Sequence, residues 1–276
     1  MGKTFRRLLS AAAGTAAAWA LAVKPRTSGK PDMSEFRKYD FAHRGYFNIR
    51  KKIPENSMKA FAAAVEHGYG IELDVRLTRD GIPVVIHDSR LLQLCGADGC
   101  VEDKTREELR EYRLSKTEEG IPDLEEVLAL VDGQVPVLLD IKTELENYGV
   151  LCSRISQVLD GYDGVFAVQS ADPMTVRWFR GNRPEYIRGQ VMEYGERCGC
   201  GIACTVGSFL RHNLLTNFLT TPDFVTCNVE DRKNLSLRLC RFLYRVQTME
   251  WGIHDLEGYE LVKTDESLVI FEEIEP

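Results

Sequence analysis

Short apolar segments recur along this chain with helical patterns between several of them, and this alternation limits its possible folds more than any other feature. Strand-like runs occupy residues 39–42, 71–77, 82–86, 135–141, 164–169, 187–191, 223–227 and 245–249. Strands that alternate with helices form parallel βα units, because each helix returns the chain to the start of the next strand. About eight strands in about 240 residues favour a closed (β/α)8 barrel of the TIM type over an open sheet.

Three helix starts are marked by capping residues. The segment 54–68 places apolar residues at helical spacing and is predicted to begin at Asn56 or Ser57. The segments 105–109 and 123–126 each have the form of a capping box, with an acid three residues after the cap. These signals place helices between the predicted strands.

Composition excludes one class of function. The 276-residue chain carries a formal net charge of −7. A protein that coats nucleic acid needs a basic surface, so we expect no nucleic-acid partner. A small anionic substrate stays compatible with this charge, because a few local cations suffice to hold a phosphate.

The first 38 residues differ from the remainder, and we predict two parts: a terminal segment with a linker over 1–38 and a barrel domain over 39–276. Residues 8–23 are uncharged, and basic residues flank them on both sides: Lys3, Arg6, Arg7, Lys24 and Arg26. Three interpretations stay open, namely a short signal anchor, a cleaved secretory signal peptide and a buried alanine-rich helix. The basic flanks favour the anchor. We therefore expect membrane association through a single-pass segment, on a side of the membrane that the flanks leave undecided.

Acids alternate along the second predicted strand, "IELDVRL". Side chains point to opposite faces in turn, so Glu72 and Asp74 share one face while Leu73 and Val75 share the other. Strands usually keep carboxylates out of such apolar runs. Two acids on one face therefore form a candidate metal-binding or catalytic pair.

A hairpin follows this strand. The pair Asp80-Gly81 is a strong signal for a two-residue turn. With that turn, His87 lies directly across from Asp74 on the same face. A purely parallel barrel has no place for a tight hairpin, so we expect this segment to be an irregularity near the rim.

Two other predicted strands end in ionisable residues: one reaches His43 and Arg44, and the other carries Asp140 and Lys142. Barrel enzymes keep their active sites at the carboxyl ends of strands. Carboxylates suit Mg²⁺ or Ca²⁺, the two cations suit a phosphate, and two imidazoles can share general acid and base catalysis. This set favours phosphoester hydrolysis over acyl transfer, since the sequence has no serine or cysteine nucleophile motif.

The segment from "AHRG" through "PENSMKAFAAAVEHGYGIELDVRLTRDGIPVVIHD" resembles the signature of the glycerophosphodiester phosphodiesterase family. Thinner, collinear similarity follows in "IPDLEEVL", "LLDIKTE", "VQSADP", "RGQV", "PDF" and "IFE". The resemblance covers roughly residues 39–272. It implies a (β/α)8 barrel with a small insertion after the His-Asp pair.

The resemblance also implies roles for individual residues. His43 and His87 would be the acid and base, and Glu72, Asp74 and Asp140 would bind one divalent cation, Mg²⁺ or Ca²⁺. The implied substrate-binding residues are Arg44, Lys142, Glu55, Asn56 and Trp251. Helix capping is the alternative for Glu55 and Asn56, and core packing is the alternative for Trp251.

Three positions depart from the family pattern. Asp140 stands where the family usually has Glu, which leaves Glu144 as an alternative ligand. The late "WT" dipeptide is here Trp251-Gly252, and "VIFEE" replaces the usual "TD" near the end. These changes affect the substrate end of the pocket more than the reacting groups.

We therefore expect metal-dependent hydrolysis of a small glycerophosphodiester to glycerol 3-phosphate and an alcohol. One alternative is a phospholipase D-like enzyme acting on lysophospholipids or sphingolipids, which a membrane partner would bring close to the pocket. A second alternative is a phosphodiester-binding protein with weakened catalysis, suggested by Asp140 and the altered late motifs.

Overall fold

A computed structural model describes residues 3–143, 147–193 and 202–276. The strands are β1 (Phe41–Ala42), β2 (Gly70–Leu77), β3 (Pro83–Val85), β4 (Val137–Ile141), β5 (Phe166–Ser170), β6 (Ile187–Met192), β7 (Phe224–Asn228), β8 (Gln247–Ile253) and β9 (Leu268–Phe271). The helices are α1 (Lys3–Ala22), α2 (Met58–His67), α3 (Leu92–Cys95), α4 (Arg106–Leu109), α5 (Leu124–Val131), α6 (Tyr148–Leu159), α7 (Pro173–Asn182), α8 (Ile202–His212), α9 (Asn217–Thr220), α10 (Leu235–Tyr244) and α11 (Leu256–Thr264).

The sheet closes into a barrel. Strand β1 pairs in parallel with β2 on one side and with β9 on the other, and the intervening strands pair in parallel from β2 through β4 to β9. The eight parallel strands confirm the predicted (β/α)8 fold. Their carboxyl ends meet at one rim, where side chains from different strands come together.

The predicted hairpin lies at that rim. Strand β3 runs antiparallel to the last residues of β2, beyond the two-residue strand β1. The residues that follow, 89–122, form α3, α4 and short 3₁₀ turns around a small apolar core of their own. This segment is the small insertion that the family resemblance implied.

The hairpin register differs by one residue from the predicted one. Val75 pairs with Val85. The amide of Thr78 donates to the carbonyl of Ile82 at 3.0 Å, and Gly81 adopts a φ of 81°. The loop therefore has three residues with a glycine in the left-handed region, and the predicted two-residue turn is wrong.

This shift changes how His87 reaches the site. The residue across from Asp74 is Ile86, whose amide donates to the Asp74 carbonyl at 3.0 Å. A one-residue change of register alters which side chains share a face. His87 is therefore presented by the chain that leaves β3, and its predicted position directly opposite Asp74 is wrong.

Strand β9 was not among the predicted strand runs. Its four residues, Leu268–Phe271, are all buried and bond to β1 on one side and β8 on the other. So short an apolar run carries no alternation that would mark it as a strand. Barrel closure makes it one, because β1 and β8 need a partner between them.

Residues predicted as a linker pack on the base of the barrel. Met33 and Phe36 are buried, and the Phe36 ring stacks on Phe41 of β1 with 5.4 Å between ring centroids. This end of the barrel holds a small apolar cluster that also includes Phe224 and Met249. The segment between α1 and β1 thus covers the amino-terminal ends of the strands.

The N-terminal helix does not match the predicted membrane anchor. No helix in the described part of the chain is long and apolar enough to cross a membrane. Helix α1 has 20 residues, but its first turns carry Lys3, Arg6 and Arg7, and much of the remainder is alanine, a weakly hydrophobic residue. The expected membrane association through a single-pass segment is therefore wrong.

Candidate active site

Two carboxylates of β2 face the interior of the barrel. Glu72 and Asp74 are buried, whereas Leu73 and Val75 pack in the apolar layer between the barrel and its helices. The alternation of the strand sequence produces this division, as predicted. Strand β4 adds a third acid, because its parallel register places Asp140 beside Asp74.

These three acids form a cluster that can hold a cation. One oxygen from each of Glu72, Asp74 and Asp140 lies within 4.8 Å of the other two. Oδ1 of Asp140 is buried and has no hydrogen-bond partner among the described residues. A buried carboxylate oxygen without a donor is costly unless a cation contacts it. The donor set, all carboxylate oxygen, fits a hard divalent ion such as Mg²⁺ or Ca²⁺. Glu144, the alternative ligand, lies outside the described residues.

Burial and neighbouring charges shift the pKa values of the two β2 acids in opposite directions. Burial, aided by the Asp74 carboxylate, raises the pKa of Glu72 to about 8. Burial alone would also raise the pKa of Asp74, but Lys142 and Arg44 outweigh it and lower that pKa below its usual range. Asp74 is therefore the more firmly ionised carboxylate of the pair.

Asn56 supports Asp74 from below. Its side-chain amide donates to Oδ2 of Asp74 at 2.9 Å, and its side-chain oxygen accepts from the Asp74 amide at 3.3 Å. Asn56 is fully buried and has a φ of 52°, a conformation that asparagine tolerates better than most residues. Ser57, not Asn56, caps α2, by accepting from the amide of Ala60.

Arg44 is held by the turn after β1. Its Nη1 donates to Glu55 at 2.7 Å, and its Nε lies 3.3 Å from Oδ2 of Asp74. The backbone amide of Arg44 also donates to Glu72 at 3.0 Å. The next residue, Gly45, has a φ of 81°, and a Cβ there would lie 2.9 Å from the backbone of Ala60. The His-Arg-Gly sequence thus makes a tight turn that aims Arg44 at the acids.

Lys142 lies between two of the acids. Its Nζ is 2.9 Å from Oδ2 of Asp140 and 3.2 Å from Oδ1 of Asp74. Burial would lower the pKa of Lys142, but the carboxylates of Asp140 and Asp74 raise it above its ordinary value. The ammonium is therefore charged and fixed at the rim.

His43 lies at the end of β1 between two carboxylates. Its Nδ1 hydrogen-bonds to Glu272, the residue after β9, and its Nε2 lies 3.7 Å from Oε2 of Glu72. Burial alone would lower the pKa of His43, but Glu72 and Glu272 outweigh it and raise that pKa. The ring is thus oriented through Nδ1, with Nε2 directed at the acidic cluster.

His87 has a matching partner. Its Nδ1 lies 2.7 Å from Oδ1 of Asp88, and its backbone carbonyl accepts from Nε of Arg76 at 2.7 Å. Both imidazoles therefore bond a carboxylate through Nδ1. This contact holds each ring in one orientation.

The site surrounds a small cavity of about 50 Å³ at the carboxyl ends of the strands. Seven of the ten predicted site residues line it: His43, Arg44, Glu72, His87, Asp140, Lys142 and Trp251. The Trp251 ring lies 6.2 Å from the His43 ring, between centroids. Asp74 is not among the described lining residues and belongs to the acidic cluster. Glu55 and Asn56 are not among the described lining residues and instead contact Arg44 and Asp74.

Three residues near the site were missed from sequence. Asp88 directly follows His87, and the His-Asp pair in the sequence was the available signal for its contact with the His87 ring. Glu272 follows the unrecognised strand β9, and the "VIFEE" run was the available signal. Glu193, at the end of β6, lines the site cavity and a second cavity of about 260 Å³ that also includes Lys142. Position at a strand end would have identified it.

One family model and several known proteins match this chain. The model of the glycerophosphoryl diester phosphodiesterase family matches residues 43–193, more than half of the chain. A glycerophosphodiester phosphodiesterase of Bacillus altitudinis is 45% identical over 114 residues, which cover 39% of this chain and 44% of the relative. A probable glycerophosphodiester phosphodiesterase 2 of Mycobacterium tuberculosis is 38% identical over 125 residues, which cover 44% of this chain and 46% of the relative. The matched part of the chain thus spans about half the length of these relatives.

Solved structures share the fold. A phosphodiesterase of Oleispira antarctica, in complex with the product sn-glycerol-3-phosphate, superposes with a TM-score of 0.69 at 19% identity, covering 85% of this chain and 92% of the other. A glycerophosphodiester phosphodiesterase of Thermotoga maritima gives a TM-score of 0.65 at 24% identity, covering 84% of this chain and 94% of the other. The barrel architecture is therefore common to these proteins.

Proposed function

Because the chain belongs to the glycerophosphoryl diester phosphodiesterase family, we propose that it is a phosphoric diester hydrolase that cleaves glycerophosphodiesters to glycerol 3-phosphate and an alcohol. The observation that carries this proposal is the gathering of two imidazoles, three carboxylates, one guanidinium and one ammonium at one rim of the barrel. This combination of groups suits phosphodiester hydrolysis, because negative charge on the phosphoryl oxygens must be stabilised while protons move at two other oxygens.

The residues proposed to hold a divalent cation are Glu72, Asp74 and Asp140. The unpartnered buried oxygen of Asp140 and the close spacing of the three acids support this assignment. A bound Mg²⁺ or Ca²⁺ would polarise a phosphoryl oxygen and lower the pKa of a bound nucleophile. Asn56 keeps Asp74 in position from beneath, and it acts through that residue rather than on substrate.

Arg44 and Lys142 are proposed to bind the phosphoryl oxygens. Arg44 offers planar N–H donors that match a phosphate, and Glu55 and Asp74 orient them. Lys142 supplies a compact charge from the carboxyl end of β4. Both side chains stabilise the negative charge that builds up on the phosphoryl oxygens in the transition state.

His43 and His87 are proposed as the acid and base. One imidazole removes a proton from the oxygen that attacks phosphorus, and the other protonates the alcohol oxygen as its bond to phosphorus breaks. Glu272 and Asp88 bond the Nδ1 atoms and leave each Nε2 for these transfers. Trp251 closes the pocket beside His43 and is proposed to contact substrate.

The test is the release of glycerol 3-phosphate from glycerophosphocholine by the full chain, with Mg²⁺ or Ca²⁺ and with a chelator. We expect activity that the chelator abolishes and that one of the two ions restores. Full activity in the chelator would overturn the metal assignment. Turnover of lysophospholipids or sphingolipids without turnover of glycerophosphocholine would favour the phospholipase D-like alternative, and tight binding without product would favour a binding protein.

A pair of histidine variants tests the residue roles. His87→Ala removes one proposed proton-transfer group, and we expect a loss of roughly 10²- to 10⁴-fold in kcat. His67→Ala is the control, because His67 is exposed at the carboxyl end of α2 and does not line the site cavity among the described residues. Equal rates in the two variants would refute the role of His87.

A further inference from the structure

A further cavity, of about 830 Å³, lies at the opposite end of the barrel from the candidate active site. It includes Arg188, near the start of β6, and Thr221, which precedes β7. The amino-terminal ends of barrel strands usually serve stability rather than catalysis. Its volume is within the range of small-molecule sites. The phosphodiesterase chemistry does not use this cavity.

One wall of this base cavity is apolar. It is formed by the last turns of α1 and by α9, through Ala18, Leu21, Ala22 and Phe218. Leu21 is 63% exposed and Phe218 is 52% exposed. Large apolar side chains that share one concave wall and remain open to water favour an apolar ligand there.

Another part of the lining, the basic wall, is positively charged. It carries Lys24, Arg26, Arg180 and Arg188, and among the described residues no carboxylate lines the cavity. Four cations around one concave surface of a chain with a net charge of −7 are a local exception to its overall charge. Such a concentration of positive charge attracts an anion.

Neutral oxygens hold two of these cations. The buried side chain of Arg188 donates to the carbonyls of Thr220 at 3.3 Å and Thr221 at 3.0 Å. Arg180 donates to the carbonyl of Leu219 at 2.7 Å. Carbonyls satisfy the N–H donors, but they leave the positive charge of each guanidinium without a counter-charge.

One carboxylate compensates part of this charge. Oδ1 of Asp223 lies 3.6 Å from Nη1 of Arg26, and its other oxygen accepts from the backbone amide of Arg188. Burial and the charges of Arg26 and Arg180 lower the pKa of Arg188, against the opposing effect of Asp223. The guanidiniums of Arg26 and Arg188 thus share a single acid, and Arg180 adds a further positive charge beside Arg188.

We propose that the base cavity binds a single-chain amphiphile with a phosphate headgroup. The alkyl chain lies along Leu21 and Phe218, and the phosphate contacts Lys24, Arg26 and Arg180. Charge complementarity selects the headgroup, and the apolar wall selects the chain. The site is separate from the phosphodiesterase site, and the proposal stands whether or not that activity is found.

The probe is octyl phosphate, below the concentration at which it forms micelles, titrated calorimetrically into the full chain. Saturating glycerol 3-phosphate is present to occupy any phosphate site at the other end of the barrel. We expect one binding site, with affinity at least roughly tenfold tighter than for inorganic phosphate, because buried methylenes add to the headgroup contacts. We expect octyltrimethylammonium and octanol to bind at least tenfold more weakly than octyl phosphate.

Either of two results with the control probes would overturn the proposal. Inorganic phosphate that binds as tightly as octyl phosphate would show that the apolar wall contributes nothing and that the site takes a simple anion. Octyltrimethylammonium that binds as tightly would show that the basic wall contributes nothing.

Variants locate the binding. Lys24→Gln combined with Arg180→Gln removes two cations at exposed positions, and we expect octyl phosphate affinity to fall roughly tenfold. Arg177→Gln is the matched control, because Arg177 is exposed on the same helix as Arg180 and does not line the described cavity. Phe218→Ser tests the apolar wall and is expected to remove the advantage of octyl phosphate over inorganic phosphate. Unchanged octyl phosphate affinity in the double variant, with unfolding curves like those of the parent chain, would refute the site.

Discussion

The imidazole of His43 hydrogen-bonds through Nδ1 to the carboxylate of Glu272, a residue 229 positions later in the chain. His43 follows β1 and Glu272 follows β9, and these strands are neighbours only because the barrel closes. The pair therefore connects the first barrel strand to the last. It also sets the orientation of one of the two histidines proposed for proton transfer.

Glu272→Gln tests this positioning role. The amide keeps the size of the side chain but removes its charge, so His43 loses the partner that fixes its tautomer. We expect kcat to fall roughly 10- to 100-fold with KM little changed, as for other partners that orient a functional group. Glu272→Asp should recover part of the loss. The control is Glu273→Gln at the exposed neighbouring position, and equal rates in Glu272→Gln and Glu273→Gln would show that Glu272 has no such role.

Asn56 is predicted to stabilise the folded protein in two ways, through its side-chain hydrogen bonds and through its tolerance of a positive φ. Asn56→Gly keeps the positive φ but leaves the buried Asp74 without an amide donor, so we expect a loss of about 1–3 kcal/mol in the free energy of unfolding. Asn56→Ala should lose about 1 kcal/mol more, because alanine is strained at a φ of 52°. Urea unfolding of both variants measures these losses. Identical unfolding curves for Asn56→Gly and Asn56→Ala would rule out the contribution of the backbone conformation.

Gly45 is predicted to be irreplaceable for steric reasons. Its φ is 81°, and a Cβ would lie 2.9 Å from backbone and side-chain atoms of Ala60. Gly68 has a similar φ of 71° but open space around it. Gly68→Ala should therefore cost about 1 kcal/mol of backbone strain, and Gly45→Ala clearly more, because α2 must also shift. Thermal or urea unfolding compares the two, and equal losses would mean that the contact with Ala60 is unimportant.

Asp140 is predicted to decide metal affinity. Asp140→Asn keeps the shape of the side chain but removes one of three anionic ligands, and it leaves Lys142 with Asp74 as its remaining contact in the cluster. We expect Mg²⁺ or Ca²⁺ to bind at least roughly 100-fold more weakly. This loss exceeds the one typical of a residue that only hydrogen-bonds to a metal ligand. The readout is the metal-dependent rise in Tm. Asp163→Asn, at an exposed position, should respond to metal like the parent chain, and the same response from Asp140→Asn would exclude Asp140 as a ligand.

Asp140→Glu asks a separate question, because Glu is the usual family residue at this position. The longer side chain carries the carboxylate one methylene further into the cluster. We expect it to keep metal binding within about tenfold of the parent chain, since hard cations accept either acid. Loss of binding comparable to that in Asp140→Asn would show that the surrounding barrel is built for the shorter residue.

Much of the site could be predicted because its geometry is local. The alternation in β2 sends Glu72 and Asp74 inward whatever strands lie beside them, since successive side chains of a strand point to opposite faces. The capping boxes at Thr105 and Asp123 form as predicted, because each uses groups only three residues apart. The ordered signature from the His-Arg-Gly turn to the His-Asp pair also indicates the family more specifically than any single residue within it.

The hairpin shows where local reasoning ends. The Asp-Gly pair marks a turn correctly, but two- and three-residue loops both accept it, and the choice depends on how Thr78 and Ile82 pair across the strands. That choice moves His87 out of line with Asp74. The His87 ring instead contacts the side chain of its neighbour Asp88.

By itself, then, the sequence determined the (β/α)8 architecture, the inward acids of β2 and the position of Arg44 after the first barrel strand. Tertiary structure decided which distant residues meet: Glu272 contacts His43, and Asp140 lies beside Asp74. It also formed the base cavity between α1 and α9. Periodicity and capping act within a few residues of chain, so sequence alone records them. Contacts between distant strands depend on closure and register, and these are set only when the whole barrel packs.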